Sequence, residues 1–443
     1  MAPTPTSNTP QNCLPKEQLK QLQDQKGALS RRIGECKKAG LSCDDLIVEM
    51  QFLTNEIKKL STSSIRIKNT SPSLAGEKAN TLPAHFTPYT QPKEKSPISD
   101  LVIRQLTNSD DKHKWNAFVE QQNTACIYHR YEFKNIVEQS FGHNTAYYMA
   151  LDQAHNVVGI LPTVFTQSRL FGSYITSLPY FNYGGCLAIN DEIETALVNA
   201  ASKDAQQQHA NYFELRESKH REEFACRNDK ISMILELPDN SETLWQNLGT
   251  KVRAQIKKGE EHLFTFKFGK EELLNDFYQV FSTNMRDLGT PVYAKQFFQT
   301  LLTQMPHNST LALLYYKNKP VSGGFLLGFR DTLEIPWAST LKSANHLNAN
   351  MVFYWQVLQF AIQKKYTFFD FGRSSKDAPT YRFKKQWGSK AVQLYWTYPV
   401  LANNELPSLN PNSSKYQLAI RVWQKLPLVI SNALGPHLVK NLP

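Results

Sequence analysis

The sequence predicts a mixed α/β (α+β) fold built from two successive halves, and three observations carry that reading. Apolar runs rich in β-formers alternate with helix-period segments between residues 99 and 400. Each half, 99–236 and 237–400, opens with helical patterns and then runs into strands. The length of 443 residues exceeds what a single core usually organises, and 41% hydrophobic with 12% aromatic residues excludes a disordered chain.

Taken in order, residues 1–13 are rich in Pro, Thr, Asn and Ser and read as a disordered terminus. Residues 14–60 carry an a/d seam at Leu19, Leu22, Leu29, Ile33 and Cys36, resumed at Leu46, Met50, Leu53, Ile57 and Leu60. Between the two lies KKAGLSCDD, where Gly40 can close one helix and Ser42 can cap the next. The expectation is an antiparallel helical hairpin, a surface for a homodimer or another partner. Its nine Lys/Arg against seven Asp/Glu do not make a strong RNA-binding stripe. Residues 61–98, punctuated by Pro72, Pro83, Pro88, Pro92 and Pro97, read as an irregular linker.

In the first half the expected strands are TAYYMAL, NVVGILPTVF and ISMILEL, and the helices KWNAFVEQ and EFKNIVEQSF. In the second half STLALLYYK, KPVSGGFLLGF, TLEIPWAS and YTFFDFG read as strands. Its helices are SETLWQNL, LLNDFYQVFSTNMRDLG, AKQFFQTLLTQM and NANMVFYWQVLQFAIQKK. Residues 401–443 form a loop and a basic, amphipathic tail broken at Pro427, which either packs back on the second half or touches a membrane surface.

Bulk chemistry narrows the function classes. A net charge of +11 favours anionic partners without choosing among phosphorylated substrates, RNA and acidic membranes. Six cysteines without a CxxC pair suit free thiols in a reducing compartment. No apolar run approaches the roughly 18 residues of a spanning helix, and no signal-peptide pattern is visible, so a cytoplasmic location is expected. The histidines follow no metal-ligand spacing, and no Walker A or G-x-G-x-x-G loop is present.

The densest signal is FFDFGRSSKDAPTYRFKKQWG, residues 368–388. Asp370 is expected at the C-terminal end of a buried strand, where open sheets place their ligands. Gly372 permits a tight bend, and Arg373 offers a planar fork to phosphate or carboxylate. Lys384 and Lys385 are neighbours, so on an extended segment they face opposite ways. From composition alone a charged turn and a site remain open. Elsewhere, Arg253 and Lys257 of KVRAQIKK share a face if that segment is helical, and could hold a diphosphate or simply form a solvated face. Asn284, Arg286 and Asp287 sit at a helix end, either capping it or touching substrate. In SLPYFNYGGC, Asn182 and Tyr183 precede Gly184 and Gly185, which let the backbone approach a ligand or a neighbouring strand. Cys186 lacks a nearby His and is not expected to be a nucleophile.

In this order, D-F-G-R-S, a short loop and T-Y-R-F-K-K-Q-W-G resemble the signature of FemAB-type acyltransferases, nearest the subgroup associated with exosortase and exopolysaccharide systems. SLPYFNYGGC, KVRAQIKK, NMRDLGTPVYAKQFF, PWAST and LGPHLVKNL agree with it in order, so the likeness spans roughly 100–440. It implies two tandem GNAT-like acyl-CoA N-acyltransferase domains with a cleft between them, moving an acyl or aminoacyl group onto an amine. The acceptor it implies is a precursor of the cell envelope, peptidoglycan or exopolysaccharide. The donor would be aminoacyl-tRNA or acyl-CoA, with no tightly bound cofactor. The lysine after the aromatic in F-K-K, Lys384, matches the family's oxyanion-stabilising lysine, with Lys385 as the fallback. Asp370 and Tyr381 are the further catalytic candidates, and Arg373, Arg253, Lys257, Asn182, Tyr183 and Arg286 the substrate-binding ones. The Q/R-x-x-G-x-G/A loop by which many GNAT enzymes cradle coenzyme A is not found, which counts against acyl-CoA but leaves it open. The 14–60 segment, notably LQDQKGALSRRIGECKKAG, also resembles the coiled-coil arm of seryl-tRNA synthetases. In the peptidoglycan branch a helical arm is inserted in the second domain, whereas here the hairpin precedes both. Two alternatives stand beside this reading: an acetyl-CoA-dependent GNAT acetyltransferase acting on an amino sugar, and a non-catalytic binding module that docks through the hairpin.

Overall fold

The computed structural model describes residues 82–86, 101–106, 110–168, 171–403, 406–407 and 414–442, with scattered helical positions between 22 and 54. The chain divides into two compact units, Met1–Asn80 and Thr81–Pro443. The expected hairpin lies largely outside the described residues, as do the N-terminal 13 residues and most of the linker. The sheets lie in the second unit.

Two sheets organise it. The first runs in the order β1 (Val102–Gln105), β2 (Asn144–Leu151), β3 (Val157–Ser168), β4 (Gly172–Thr176), β6 (Tyr212–Glu217), β15 (Tyr395–Leu401) and β7 (Ala225–Arg227). The two-residue β5 (Leu187–Ala188) pairs with β3. The second runs β14 (Lys390–Gln393), β8 (Lys230–Glu236), β13 (Phe368–Ser375), β12 (Thr332–Thr340), β11 (Lys319–Phe329), β10 (Ser309–Tyr316) and β9 (Phe264–Gly269). β8 therefore joins the second sheet, and β15 returns to the first after the second is complete. The chain crosses between the layers twice, so the two halves are woven together and not simply strung in tandem.

Helices α1 (Asp110–Gln121), α2 (Glu132–Phe141) and α3 (Asp191–Gln207) cover the first sheet. On one face of the second lie α4 (Ser241–Asn247), α5 (Thr250–Glu260) and α8 (Ala349–Gln363), joined later by α9 (Pro379–Lys385). On the other lie α6 (Leu274–Leu288) and α7 (Lys295–Gln304). The α8 stretch is apolar all round because it is buried, with Phe353, Val357, Leu358 and Ala361 fully enclosed. α10 (Ser414–Gln424) and α11 (Leu428–Val439) close the chain, with Pro427 capping the second of them. The tail thus forms two helices, and α11 packs back against α6. Among the described residues no helix is long and apolar enough to cross a membrane.

A largely aromatic core joins the two layers. Phe181 reaches from the first to within 5.9 Å of the Trp337 ring, while Phe141 lies 5.1 Å from Phe297 and Phe297 5.3 Å from Trp337. These tilted and edge-on contacts bury large rings on both sides and hold the layers face to face. Part of the linker enters this core as well. Where an irregular segment was expected, Ala84–Phe86 forms a 3-10 turn with Phe86 buried 5.3 Å from Tyr183. The physical reason is local: a large apolar side chain between prolines finds an aromatic surface to cover.

Candidate active site

The second sheet contains one parallel pair, β12 with β13, and its register runs through only three positions, ending at Glu334 opposite Asp370. Beyond that point β12 continues to Thr340 and β13 to Ser375 without pairing with each other, so the two strands part and leave a fork. Strand alternation sends Leu333, Ile335, Phe369 and Phe371 into the core under α8, and turns Glu334 and Asp370 toward Asn182 and Tyr183. Both carboxyls are buried. Two acids side by side without solvent cannot both ionise cheaply.

Their hydrogen bonds decide which one does. Asp370 accepts from the Tyr183 hydroxyl at 2.8 Å, the Ser232 hydroxyl at 2.8 Å and the Gly372 N–H at 2.7 Å. Burial pushes its carboxyl up, and these three donors oppose that. Glu334 accepts from Asn182 Nδ2 at 2.5 Å and is pushed up to about 8, first by burial and then by the Asp370 charge. The proton of the pair therefore rests on Glu334 and the charge on Asp370.

Lys384 supplies the countercharge. The residues PTYRFKK, placed in neither an expected strand nor an expected helix, form the short helix α9, with Pro379 at its first turn. Helical geometry separates the two lysines by about 100° around the axis, burying Lys384 and exposing Lys385. The Lys384 ammonium donates to the carbonyls of Gly372 and Arg373, each at 2.9 Å, leaving one of its three N–H groups for another acceptor. Burial lowers its pKa to about 8; Asp370 and Glu334 pull it up and Arg373 pushes it down.

Gly372 makes this arrangement possible. Its φ of +74° bends β13 beside Asp370, and a Cβ there would stand 3.0 Å from Asn182 Nδ2. Asn182 and Tyr183, from the loop after β4, thus plug into the fork from the side of the first sheet. Of the two glycines that follow, Gly185 serves a neighbouring strand, because a Cβ on it would lie 2.9 Å from the Glu217 side chain.

A cavity of about 310 Å³ reaches Glu334 and is lined also by Cys126, Tyr183, Arg330, Asp331 and Thr332. A second, of about 450 Å³, lies against Tyr183, Gly184, Gly185 and Cys186. His85 of the linker lines both, stacked 5.4 Å from Tyr183. Neither is lined by Lys384.

Of the expected site residues, Asp370, Lys384, Asn182 and Tyr183 come together, and Arg373 lies beside them. Lys385 sits 5.5 Å over the Tyr381 ring, on the far side of the sheet from the carboxyl pair, and Tyr381 itself packs on the apolar core there. KVRAQIKK is helical as expected, but Arg253 and Lys257 belong to α5, which packs on that same opposite face. Arg286 bonds its neighbour Asp287 at 2.7 Å. Glu334 escaped the sequence reading, although an acid inside the apolar run TLEIPW was a signal for it. Cys126 was also missed. Its thiol lies 3.3 Å from His129 Nδ1 at the cavity wall, but burial pushes the thiol up to about 12 and the imidazole down to about 4, so no thiolate forms.

Residues 237–400 thus carry an acyltransferase domain of the GNAT type. Residues 247–385 match the family described as "Acetyltransferase (GNAT) domain". The solved structure of FemX is similar at 12% identity and a TM-score of 0.52, over 68% of this chain and 98% of that one. L-PGS from Bacillus licheniformis is similar at 13% identity and a TM-score of 0.42, over 67% of this chain and 97% of that one. A tandem GNAT protein from the clavulanic acid biosynthesis pathway is similar at 10% identity and a TM-score of 0.42, over 70% of this chain and all of that one. No curated protein matches in sequence.

Proposed function

We propose that this chain is a FemAB-like N-acyltransferase that moves an acyl or aminoacyl group from an activated ester or thioester onto an amine of a cell-envelope or polysaccharide precursor. The observation that carries the reading is the fork of β12 and β13, with Glu334, Asp370 and Lys384 gathered at its apex. The donor's carbonyl lies at the fork. The acceptor amine, reaching Glu334 through the adjoining cavity, gives its proton to the ionised form of that carboxyl, the fraction that grows as pH approaches 8, as the N–C bond forms. The third N–H of Lys384 stabilises the tetrahedral oxyanion, and collapse breaks the C–O or C–S bond to the donor, the departing oxygen or sulfur taking the proton back from Glu334. Asp370 keeps Lys384 charged, and Tyr183 and Ser232 hold Asp370 in place.

Similarity to FemX and the order of the sequence motifs support aminoacyl-tRNA as donor and an envelope-related acceptor. The acetyltransferase match over residues 247–385 supports acyl-CoA in the same role. Incubating the full chain with labelled aminoacyl-tRNA or labelled acetyl-CoA, against a panel of amino-sugar and peptide amines, tests both. Transfer from either donor that Lys384→Met abolishes supports the reading; no transfer from any donor to any amine refutes it.

A further inference from the structure

The mechanism above leaves unused a cluster of positive charge where the two sheets meet. Trp396 on β15 pairs in register with Arg216 on β6 and with Arg227 on β7. The Arg216 and Arg227 guanidiniums lie 4.5 and 5.5 Å from the indole centroid, and Lys230 6.0 Å. From the second sheet Arg373 adds a fourth cation at 5.0 Å. Two carboxylates answer these four charges. Glu214 holds Arg216 Nε at 2.6 Å, and Asp229 holds Lys230 at 2.9 Å and Arg227 at 3.4 Å. Two positive charges remain.

Arg373 has no carboxylate of its own, and its Nη1 is enclosed without a hydrogen-bond partner. The indole Nε1 of Trp396 is enclosed and unpartnered too. Burial, and then the Arg216 charge, lower the Arg373 pKa to about 10, as expected of a cation held without its counterion. Stacking on an indole offsets only part of the cost of burying an unpaired guanidinium. Unsatisfied donors and surplus charge at one place are the features of an anion site.

We propose that Arg216, Arg373 and the Trp396 indole N–H form a binding site for a diphosphate group. Two guanidinium forks and an indole N–H offer donors to two phosphoryl groups, and the surplus charge matches the two negative charges such a group carries inside a larger ligand. The Arg227 and Lys230 side chains, 32% and 24% exposed, mark the side open to solvent. Because the site takes residues from both sheets, its occupant bridges the two domains. The proposal deepens the function above by placing the anionic part of the acceptor, and it rests on that reading only for the ligand being the acceptor.

Binding tests it independently of transfer. The full chain is titrated by calorimetry with inorganic pyrophosphate, and with sulfate at equal ionic strength, alongside Arg373→Met and Trp396→Phe. Wild type is expected to bind pyrophosphate at least tenfold more tightly than sulfate. Arg373→Met is expected to lose at least tenfold in affinity and Trp396→Phe several-fold, while unliganded Arg373→Met melts no lower than wild type. Should Arg373→Met fail to fold, Trp396→Phe carries the test. Equal affinity for sulfate and pyrophosphate, or unchanged affinity in both variants, overturns the proposal. Adenosine diphosphate and a short-chain prenyl diphosphate then separate the sources. Tighter binding than pyrophosphate by the first supports a nucleotide ligand and by the second a lipid one; binding of neither overturns the assignment to a larger ligand. Transfer without pyrophosphate binding sinks this proposal alone, and binding without transfer sinks only the enzymatic reading.

Discussion

Glu334→Gln isolates the proton that the carboxyl pair shares. The native carboxyl, at about 8, keeps a proton that the unfolded chain releases near 4.5. Between those values the folded state binds more protons, so this group's contribution is fully present below 4.5 and lost as pH rises through about 8. The slope is about 1.4 kcal/mol per pH unit at most, or roughly 3–4 kcal/mol between pH 5 and 7.5. Lys384, lowered to about 8, adds its own dependence only above that window, where its folded and unfolded forms differ. His85 and His129, lowered to about 3 and about 4, act in the opposite sense below pH 6.5. They do so in both proteins, so the difference between wild type and variant is the quantity to read. Glutamine preserves shape and can still accept from Asn182, but it exchanges no proton. Urea midpoints measured from pH 5 to 7.5 should therefore fall more steeply for wild type than for the variant. Parallel curves would refute the assignment of the proton to Glu334.

Four other expectations follow from the same geometry. Lys384→Met should cut the transfer rate about 10²- to 10³-fold in a steady-state assay, whereas Lys385→Ala, exposed on the other side of α9, should leave it within twofold. The rate in wild type should rise toward pH 8 as Glu334 ionises and fall above it as Lys384 loses its proton, and Glu334→Gln should erase the rising limb of a stopped-time pH profile. Gly372→Ala forces a side chain into φ +74° against Asn182, so thermal unfolding should show a loss of roughly 1–2 kcal/mol or more. Tyr183→Phe removes the 2.8 Å donor to buried Asp370 and should cost roughly 1.5–3 kcal/mol by denaturant titration.

The covering elements were legible because their causes are local. Strands such as STLALLYYK and helices such as LLNDFYQVFSTNMRDLG follow from periodicity, and Gly289 ends the latter in a left-handed cap as its sequence suggests. Asp370 was legible as a site candidate, since an acid two residues before a glycine interrupts an apolar run. Its expected place at the strand's C-terminal end is corrected: β13 runs on to Ser375, because Arg373, Ser374 and Ser375 pair with β8 beyond the Gly372 bend. Where local signals competed, the reading failed. PTYRFKK falls in no expected strand or helix, and its two lysines are placed only for the case of an extended segment, yet proline at its start and a turn of α-helix fit the space beside β13.

Other features had no local cause to read. The return of β15 to the first sheet and the passage of β8 to the second depend on pairings between strands far apart in sequence, such as Tyr395 with Glu217 and Phe368 with Glu236. The partnership of Glu334 with Asp370 comes from a parallel register of three pairs, and sequence separation hides it. Burial then sets the chemistry: the same carboxyl that would be an ordinary surface acid holds a proton because Asp370 is beside it and water is not. Arg373 illustrates the division best. The sequence determined that a guanidinium follows the Asp-Phe-Gly bend, and only the tertiary structure decided that it would meet Arg216 across Trp396 without a carboxylate to neutralise it, because long-range packing fixes which charges share a desolvated space.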